Sequence, residues 1–508
     1  MSKAVAKPKG VKNVLVDRDD NVEDDSSGED VSSASAKKTQ TTKTKNKSAS
    51  ETYTKVWHSF LFVLDWGGDC TQLSQLEHVL KRPDSYIGSI ETITQQMWTY
   101  DVNIKRVVQR DVRYVPGFLK IIDEILVNAA DNKVQRVVLY AAIWSKQLQI
   151  NDPSMDTMKV NIDVEENTIS VYNNGRGIPI EIHSQENIYI PELIFGHLLS
   201  SSNYDDDEKK LTGGRNGYGA KLANIYSREF TVETADKNTG QKYRQTWTNN
   251  MSTCGKPKIT KNSKSEEWTK ITFKPDLSRF GMNGIDEDTA GLLRKRVYDM
   301  AGTVKDVKVY LNDERLKVKS FKQYVEMYME SVQAEAVEIS GGAAQPKSQI
   351  IYERLSDRWE IAFAVSDGTF QQVSFANSIS TFKGGTHVSY IAEQLSKHIM
   401  TAVTKKNKGA PVKPAQIRNH MWLFVNALIE NPTFDSQTKE TLTLPSSKFG
   451  SKPVIKEDFI KKGEWTLDWP TSDSRSFCSL EDWYHWWNFT LGEDEGRSAN
   501  QEDRWKQA

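Results

Sequence analysis

The sequence predicts an α+β fold, in which helices pack on a β-sheet and a second α+β unit follows. Three observations carry this prediction: residues 118–133 repeat apolar side chains at helical spacing, residues 159–172 alternate them as a hairpin does, and further strands and helices follow residue 275. A chain of 508 residues is long enough for two or three domains. Its 27% charged and 37% hydrophobic residues are typical of an ordinary soluble protein.

The predicted helix carries two stripes of side chains. Its apolar stripe consists of Phe118, Ile122, Ile125 and Ala129. A polar stripe places Glu124 one turn before Asn128, with Asp131 and Asn132 on the next turn. The helix therefore presents a carboxylate and amide side chains on adjacent turns of one face.

Residues 159–164 and 168–172 predict the two strands of a hairpin. Apolar and polar side chains alternate in both, and Glu165-Glu166-Asn167 between them has the polarity of a turn. The second strand leads into Asn173-Asn174-Gly175-Arg176-Gly177, whose glycines allow a tight turn. With the helix, the hairpin predicts a sandwich of helices on a sheet.

Beyond about residue 275 the sequence predicts the second α+β unit. A strand is expected at 307–311 and a helix at 388–400. We therefore expect a first domain at residues 73–275 and a second at residues 276–462.

The sequence Thr-Gly-Gly-Arg-Asn-Gly-Tyr-Gly-Ala-Lys at 212–221 predicts a loop that binds an anion. Glycine permits positive φ and has no Cβ, so the backbone amides of such a loop can approach phosphate oxygens closely. The spacing differs from the Walker A pattern G-x-x-x-x-G-K-[ST]. We expect a phosphate-binding loop of another kind.

Composition excludes several classes of protein. No apolar run approaches the ~18–20 residues that span a bilayer, and the N-terminus has no signal-peptide core, so we expect an intracellular protein without a membrane partner. Cys70, Cys254 and Cys478 lack the spacing of a zinc site or a disulfide framework. A net charge of −1 means that nucleic-acid contacts would come from local basic clusters. Residues 1–54 are polar, nearly without aromatic residues, and are expected to be disordered.

Three motifs occur in the order found in the ATPases of the gyrase, heat-shock chaperone, histidine kinase and MutL superfamily, which this sequence resembles. They begin at Glu124, at Asn173 and at Thr212. The resemblance implies a two-layer α/β sandwich ATPase domain that is followed by an α+β transducer domain.

Longer phrases are similar to one branch of that superfamily, the N-terminal half of eukaryotic type II DNA topoisomerases. These phrases lie at residues 75–88, 201–210 and 426–439, and the similarity covers 73–133 and 150–462. It implies an ATP-hydrolysing clamp whose parent reaction is the ATP-dependent passage of one DNA duplex through another.

The resemblance gives three motif residues roles in ATP hydrolysis. Glu124 is the expected general base, which orients a water in line with the γ-phosphorus. Asn128 is expected to hold Mg²⁺. Asn173 stands where most of the superfamily has Asp, and its amide oxygen can accept the same bond from the adenine amino group. Without the resemblance, Glu124 would be interpreted as a solvated surface residue and Asn128 as merely polar or capping.

Further residues are expected to contact the nucleotide. The ribose and phosphate contacts implied by the resemblance are Ser201, Ser202 and Asn203, and Asn132 is also expected to bind the nucleotide. The implied phosphate loop consists of Gly214, Arg215, Asn216, Gly217, Tyr218, Gly219, Ala220 and Lys221. Gln437, Thr438 and Lys439 resemble a transducer loop whose lysine reaches the γ-phosphate. A contact made only with a triphosphate lets hydrolysis change the angle between domains.

Lys405, Lys406 and Lys408 resemble the basic stretch from which the family's transducer touches double-stranded DNA. Thr404 occupies a place where a further lysine would be expected, so the contact should be modest. The alternative interpretation is a solvated helix end. The resemblance also implies a homodimer that forms on ATP binding and a location in the nucleus.

Three segments interrupt the resemblance, at residues 56–72, 134–149 and 463–508. Omitting either of the first two restores family-like sequence. Both begin with Val, whose codons start with GT, and end with Gln, which CAG encodes. Because introns begin with GT and end with AG, we interpret these segments as retained introns. Genuine lineage-specific loops are the alternative.

Nothing after residue 462 resembles the acidic metal-binding domain or the nucleophilic tyrosine with which a topoisomerase cuts DNA. We therefore expect this polypeptide to gate and hydrolyse without cutting. Two functions stay open: the ATP-operated clamp, and a truncated module that binds nucleotide or a full-length partner without productive turnover. Hydrolysis that depends on Glu124 and rises with DNA would select the first.

Overall fold

The chain divides at Thr71, and every residue described below lies in the second unit, Gln72–Ala508. The computed structural model describes residues 73–134, 152, 154–198, 209–214, 217–343, 349–366, 368–406 and 413–461. These residues form helices and mixed sheets, which confirms the predicted α+β fold. Within the described ranges, no helix is long and apolar enough to cross a membrane.

The first part of the fold is built on a nine-stranded sheet. Its strands are β3 (Thr157–Asp163), β4 (Thr168–Asn174), β5 (Ser227–Asp236), β6 (Gln241–Thr248), β7 (Thr253–Cys254), β8 (Lys258–Lys261), β9 (Trp268–Pro275), β10 (Lys308–Leu311) and β11 (Glu314–Arg315). They are ordered β11-β10-β3-β4-β9-β5-β6-β7, with β8 also paired to β6. The antiparallel pair of β3 and β4 confirms the predicted hairpin.

Helices cover one face of this sheet. They are α1 (Gln75–Lys81), α2 (Pro116–Val134), α3 (Ile190–Gly196), α4 (Gly219–Ile225) and α5 (Glu287–Thr303). Helix α2 begins at a proline, whose fixed φ suits a first helical position. The whole predicted apolar stripe of α2 is buried in the core between helices and sheet. This burial fixes which side of α2 carries the polar residues.

The second part of the fold is a five-stranded sheet between helices. Its strands are β12 (Ile351–Ser356), β13 (Trp359–Val365), β14 (Gln371–Ala376), β15 (Ile379–Ser380) and β16 (Met421–Ala427). They are ordered β12-β13-β16-β14-β15. The other elements of this part are α6 (Phe321–Ile339), α7 (Thr386–Lys406), α8 (Pro414–Asn419) and α9 (Asp458–Lys461). Helix α7 contains the helix predicted at 388–400.

A hairpin joins the two parts. Its strands are β1 (Ile93–Asp101) and β2 (Arg106–Tyr114), which pair antiparallel along nine residues each. Val107 packs in one core with Tyr328 of α6 and Phe424 of β16, and Trp98 stacks on Trp422 with ring centroids 5.7 Å apart. Val112 and Tyr114 of the same hairpin pack with Leu292 of α5, so the hairpin contacts both parts of the fold.

The strand predicted at 307–311 belongs to the first sheet, so its assignment to the second unit was wrong. As β10 it pairs in parallel with β3, from Lys308 opposite Thr157 to Leu311 opposite Val160. Helix α5, also beyond residue 275, packs in the first core. The first sheet therefore continues past residue 275.

The residues that flank the second interrupting segment touch each other. The Asp152 amide donates to the Lys133 carbonyl at 3.0 Å. The Lys133 ammonium donates to the carbonyls of Asp152 at 2.9 Å and of Met155 at 2.7 Å. Because the flanks already meet, the fold on either side of 134–149 does not depend on the length of chain between them.

Removing residues 134–149 is expected to raise the melting temperature and lower aggregation. The sequence there contains the uncharged run Val-Val-Leu-Tyr-Ala-Ala-Ile-Trp, an aggregation hazard on a connecting segment. Segment length itself matters little, since doubling a flexible loop costs only ~0.6 kcal/mol. Thermal unfolding and sedimentation of the full chain, the deletion, and a Gly/Ser replacement of equal length test this. A deletion that lowers the melting temperature would show a genuine structural element.

Candidate active site

Glu124 is buried on α2, between two lysines. Its side chain is 3% exposed, and its Oε1 atom lies 2.6 Å from the Lys120 ammonium and 2.9 Å from the Lys439 ammonium. Lys120 is one helical turn earlier, the spacing at which side chains on one helix face meet. Lys439 comes from the chain after the second sheet. A carboxylate of the first part of the fold is thus bonded to a cation of the second.

The two lysines determine the charge of Glu124. Burial alone would raise the pKa of this carboxyl, but the charges and hydrogen bonds of Lys120 and Lys439 outweigh burial and lower its pKa to about 2. Burial lowers the pKa of Lys120, against the attraction of Glu124. For Lys439 burial would lower the pKa, but the Glu124 charge outweighs it and raises the pKa. Glu124 is therefore ionised at neutral pH.

The second oxygen of Glu124 faces the glycine-rich loop. Gly219, the first residue of α4, lies directly against Glu124 Oε2, and a Cβ at that position would overlap the carboxylate. A glycine is required there because the carboxylate occupies the space of a side chain. One oxygen is thus held by cations, and the other lies beside the loop predicted to bind phosphate.

Asp131 holds the entrance of the glycine-rich loop. Its two carboxylate oxygens accept one hydrogen bond each, from the Gly213 amide at 2.9 Å and the Gly214 amide at 3.0 Å. Burial raises the pKa of Asp131 to about 7, against the lowering effect of these two amides. Asn128 lies on the same side, since a Cβ on Gly214 would be 3.5 Å from both Asn128 Oδ1 and Asp131 Oδ2.

Lys439 is presented by a tight loop. Its φ is +62°, a left-handed conformation that non-glycine residues adopt at a cost and that recurs at functional sites. The Lys439 amide donates to the Ser436 carbonyl at 3.2 Å, and the Ser436 and Thr438 hydroxyls lie 2.8 Å apart. Gly88, at positive φ, packs against the Thr438 methyl. These contacts aim the Lys439 side chain inward, where it also lies 3.4 Å from the Gly213 carbonyl.

Asn173 lies at the end of β4 in a buried position. Its Nδ2 donates to the Asn174 carbonyl at 3.1 Å, while no described residue donates to its Oδ1. The turn that follows is fixed by Asp152, which accepts from the Arg176 amide at 2.9 Å, and Gly177 packs directly on the Ala235 carbonyl. The open Oδ1 atom suits an amino group such as that of adenine.

The donor set around Asn128 fits a magnesium ion that arrives with a phosphate ligand. Among the described residues there is no group of three or more His, Cys, Asp or Glu side chains that could hold a metal ion. Mg²⁺ usually takes one or two protein oxygens and completes its shell with phosphate and water. The Asn128 amide oxygen beside Gly214 can supply the protein ligand.

Two family models match this chain. Residues 115–279 match the model described as Histidine kinase-, DNA gyrase B-, and HSP90-like ATPase, and residues 320–466 match DNA gyrase B. The structure is similar to the crystal structure of the ATPase region of Saccharomyces cerevisiae topoisomerase II, with 55% sequence identity and a TM-score of 0.68. The alignment covers 77% of this chain and 94% of that one. The chain belongs to the eukaryotic type II DNA topoisomerase family.

Other members of the type II topoisomerase family agree with this assignment. The chain is 56% identical over 400 residues to DNA topoisomerase 2 of Meyerozyma guilliermondii, a match that covers 77% of this chain and 27% of the relative. It is 55% identical over 390 residues to DNA topoisomerase 2 of Arabidopsis thaliana, covering 77% and 25%. The chain thus spans about a quarter of the length of these topoisomerases, and corresponds to their ATPase region.

The structure brings together several of the residues that sequence comparison with topoisomerases had selected. Glu124, Lys439 and Gly219 are in direct contact, and Asn128 lies beside Gly214. Lys221 is buried in α4, where burial lowers its pKa to about 8. Asn173 lies at the end of β4. Of the predicted phosphate loop, the structure also describes Gly217, Tyr218 and Ala220.

Other selected residues have weaker or no structural support. Asn132 Nδ2 lies 3.9 Å from the Met155 sulfur. Lys405 and Lys406 are the last two residues of α7. Lys408 lies outside the described residues. Positions outside the described residues are Ser201, Ser202, Asn203, Arg215, Asn216 and the three interrupting segments apart from Val134. These predictions stay predictions.

Two residues of the site, Lys120 and Thr234, were missed in the sequence, and Asp131 was placed on the polar stripe of α2 without a role. Lys120 binds Glu124, Asp131 binds the loop amides, and the buried Thr234 hydroxyl accepts from the Ile178 amide at 3.1 Å beside Gly177. A signal existed for the first, because Lys120 lies four residues before Glu124 on a helix. Thr234 lies near the end of β5, where the sequence carries no motif.

Proposed function

We propose that this chain binds and hydrolyses ATP as the nucleotide-operated clamp of a type II DNA topoisomerase. The observation that carries the proposal is the placement of Glu124, with one oxygen between two lysines and the other against Gly219. Phosphoryl transfer needs a base to orient water, and cations and amides to neutralise the transferred group. Titration with ATP, and phosphate release measured with and without DNA, test the proposal. Absence of both binding and hydrolysis would overturn it.

In the proposed reaction, the Lys439 ammonium leaves Glu124 and binds the γ-phosphate of ATP instead. Lys120 stays on Glu124 Oε1, so the carboxylate keeps its orientation. With only one cation left beside it, the pKa of Glu124 rises and the carboxylate becomes a better base. It takes a proton from the attacking water while ADP leaves. Mg²⁺, held by Asn128, would neutralise charge on the phosphates.

We further propose that the ATPase and transducer domains divide later than residue 275. Strands β10 and β11 pair within the first sheet, and Leu316 packs in the first core. A division near residue 316 therefore keeps each sheet within one domain. The transducer domain would run from there to about residue 462.

We likewise propose the reaction that this clamp would serve in a whole topoisomerase. It is the ATP-dependent passage of one DNA duplex through another in the nucleus, by a clamp that becomes a homodimer when ATP binds. Membership of the topoisomerase family supports this proposal. The partners are double-stranded DNA and a second copy of this chain.

Replacing Lys405, Lys406 and Lys408 together by Ala is expected to weaken DNA stimulation of ATP hydrolysis and to leave hydrolysis without DNA unchanged. Each lysine that neutralises a phosphate releases a counterion, so three lost contacts predict a log–log salt slope of DNA binding that is smaller by about 2.7. The matched control replaces Lys256, Lys258 and Lys261, which are exposed in the first part of the fold. An equal change of the salt slope in both variants would show that Lys405, Lys406 and Lys408 make no specific DNA contact and form only a solvated helix end.

A further inference from the structure

Residues 209–214, the connecting segment, lead into the glycine-rich loop and lie against helix α2. Asp131 of α2 accepts from the Gly213 and Gly214 amides. A Cβ on Gly213 would lie 2.8 Å from a methyl of Val127, also on α2, so the segment packs tightly there. The first domain thus holds one side of the connecting segment.

The second sheet holds the other side. Asn377 Nδ2 donates to the Thr212 carbonyl at 3.3 Å. The Lys210 amide donates to Asn431 Oδ1 at 3.0 Å, and the Asn431 amide donates back to the Lys210 carbonyl at 2.9 Å. The same Cβ on Gly213 would lie 2.9 Å from Ile379 of β15. These contacts are independent of Lys439.

Asn377 occupies the two-residue turn between β14 and β15. Both turn residues have positive φ, +52° at Asn377 and +61° at Ser378, which is the geometry of a type I′ hairpin. The side chain of Asn377 makes two bonds to Ile429, which lies two residues beyond the end of the neighbouring parallel strand β16. Its Oδ1 accepts from the Ile429 amide at 2.7 Å, and its Nδ2 donates to the Ile429 carbonyl at 2.9 Å.

The same turn occurs a second time, between β10 and β11. Asn312 and Asp313 have φ of +47° and +63°. Asn312 Oδ1 accepts from the Ile162 amide at 2.7 Å, and its Nδ2 donates to the Ile162 carbonyl at 3.2 Å. Each asparagine lies beside a parallel strand, β16 or β3, in the same local structure.

The side chains of the two asparagines differ in one bond, from Asn377 to the Thr212 carbonyl, which reaches the site. The turn at Asn312 forms with only two side-chain bonds, both to Ile162. The third side-chain bond of Asn377, to Thr212, is therefore not needed to form such a turn. We propose that Asn377 is a positioning residue, which holds the connecting segment so that Gly213 and Gly214, at the start of the glycine-rich loop, keep their place beside α2. This inference rests on the proposed ATP site. It gives the transducer domain a second contact, besides that of Lys439, with the segment that leads into the phosphate-binding loop, and coupling through this contact acts in both directions.

Asn377→Gly in the full chain tests the inference, with Asn312→Gly as the matched control. Glycine accepts the positive φ, so each variant loses only a side chain and its bonds. Losing one hydrogen bond that positions the loop is expected to raise KM for ATP roughly two- to tenfold in Asn377→Gly, with kcat changed less. In Asn312→Gly, KM is expected to stay at the wild-type value. The melting temperatures of both variants measure the loss of stability that each substitution causes, separately from its effect on KM.

The inference is overturned if the two variants have the same KM, whatever their melting temperatures. If Asn377→Gly does not fold, Asn431→Gly takes its place, since Asn431 also has a positive φ, +44°, and its side chain holds the other end of the connecting segment. An unchanged KM in that variant would equally overturn it. A wild-type chain that neither binds nor hydrolyses ATP would instead refute the proposed function.

Discussion

Glu124→Gln is expected to lower ATP hydrolysis by about 10²–10⁴-fold, the usual contribution of a positioned general base, while ATP still binds. The amide keeps the shape of the carboxylate and one oxygen acceptor for a lysine, but it cannot take a proton from water. Because the ion pair to Lys439 is lost, that lysine is freed for the γ-phosphate, so nucleotide affinity should not fall.

The matched control for this variant is Glu360→Gln. Glu360 is also buried and paired with a lysine, Lys305 at 3.4 Å, but it lies in the second sheet. Phosphate release and binding of a non-hydrolysable ATP analogue are measured on both variants. Turnover by Glu124→Gln equal to that of Glu360→Gln would remove Glu124 from the mechanism.

Lys439→Met is expected to lower hydrolysis by about 10²–10³-fold, the cost of losing one donor to charge that develops in a transition state. It is also expected to abolish the preference for ATP over ADP, since the lysine would contact only the γ-phosphate. Glu124 stays ionised because Lys120 still neutralises it. Binding constants for ADP and for an ATP analogue are the measurement.

Lys295→Met is the control for the lysine. Lys295 is a largely buried lysine that pairs with a carboxylate, Asp299 at 3.1 Å, on helix α5. Both variants lose a buried ion pair and should lose stability. If Lys439→Met keeps the wild-type ratio of ADP to ATP-analogue affinity, Lys439 does not sense the γ-phosphate.

The elements nearest the site could be predicted from the sequence because local patterns determine them. The apolar stripe of α2 has helical period, and β3 and β4 alternate around a polar turn. The strand at 307–311 shows the limit of this reasoning. It was recognised as a strand, but its partner β3 lies about 150 residues earlier, and nothing local encodes a parallel pairing at that distance.

The site shows the same limit at the level of side chains. The position of Glu124 on a helix was predictable, but its burial was not, since a glutamate on an amphipathic helix ordinarily faces water. Two of the groups that lie against Glu124, Gly219 and Lys439, come from distant parts of the chain, and Lys439 is more than 300 residues later. The role proposed for Asn377 could not be predicted from the sequence either, because it depends on one bond to the carbonyl of Thr212, 165 residues earlier.

The most direct measurement is the position of Lys439 in a crystal structure of this chain with Mg²⁺ and a non-hydrolysable ATP analogue. In the structure described here, Lys439 Nζ lies 2.9 Å from Glu124 Oε1. We expect the ammonium to move to within hydrogen-bond distance of a γ-phosphate oxygen, with Lys120 still on Glu124 and the phosphates on the amides of the glycine-rich loop. An analogue bound elsewhere, or bound at this loop with Lys439 still paired to Glu124, would contradict the proposed exchange.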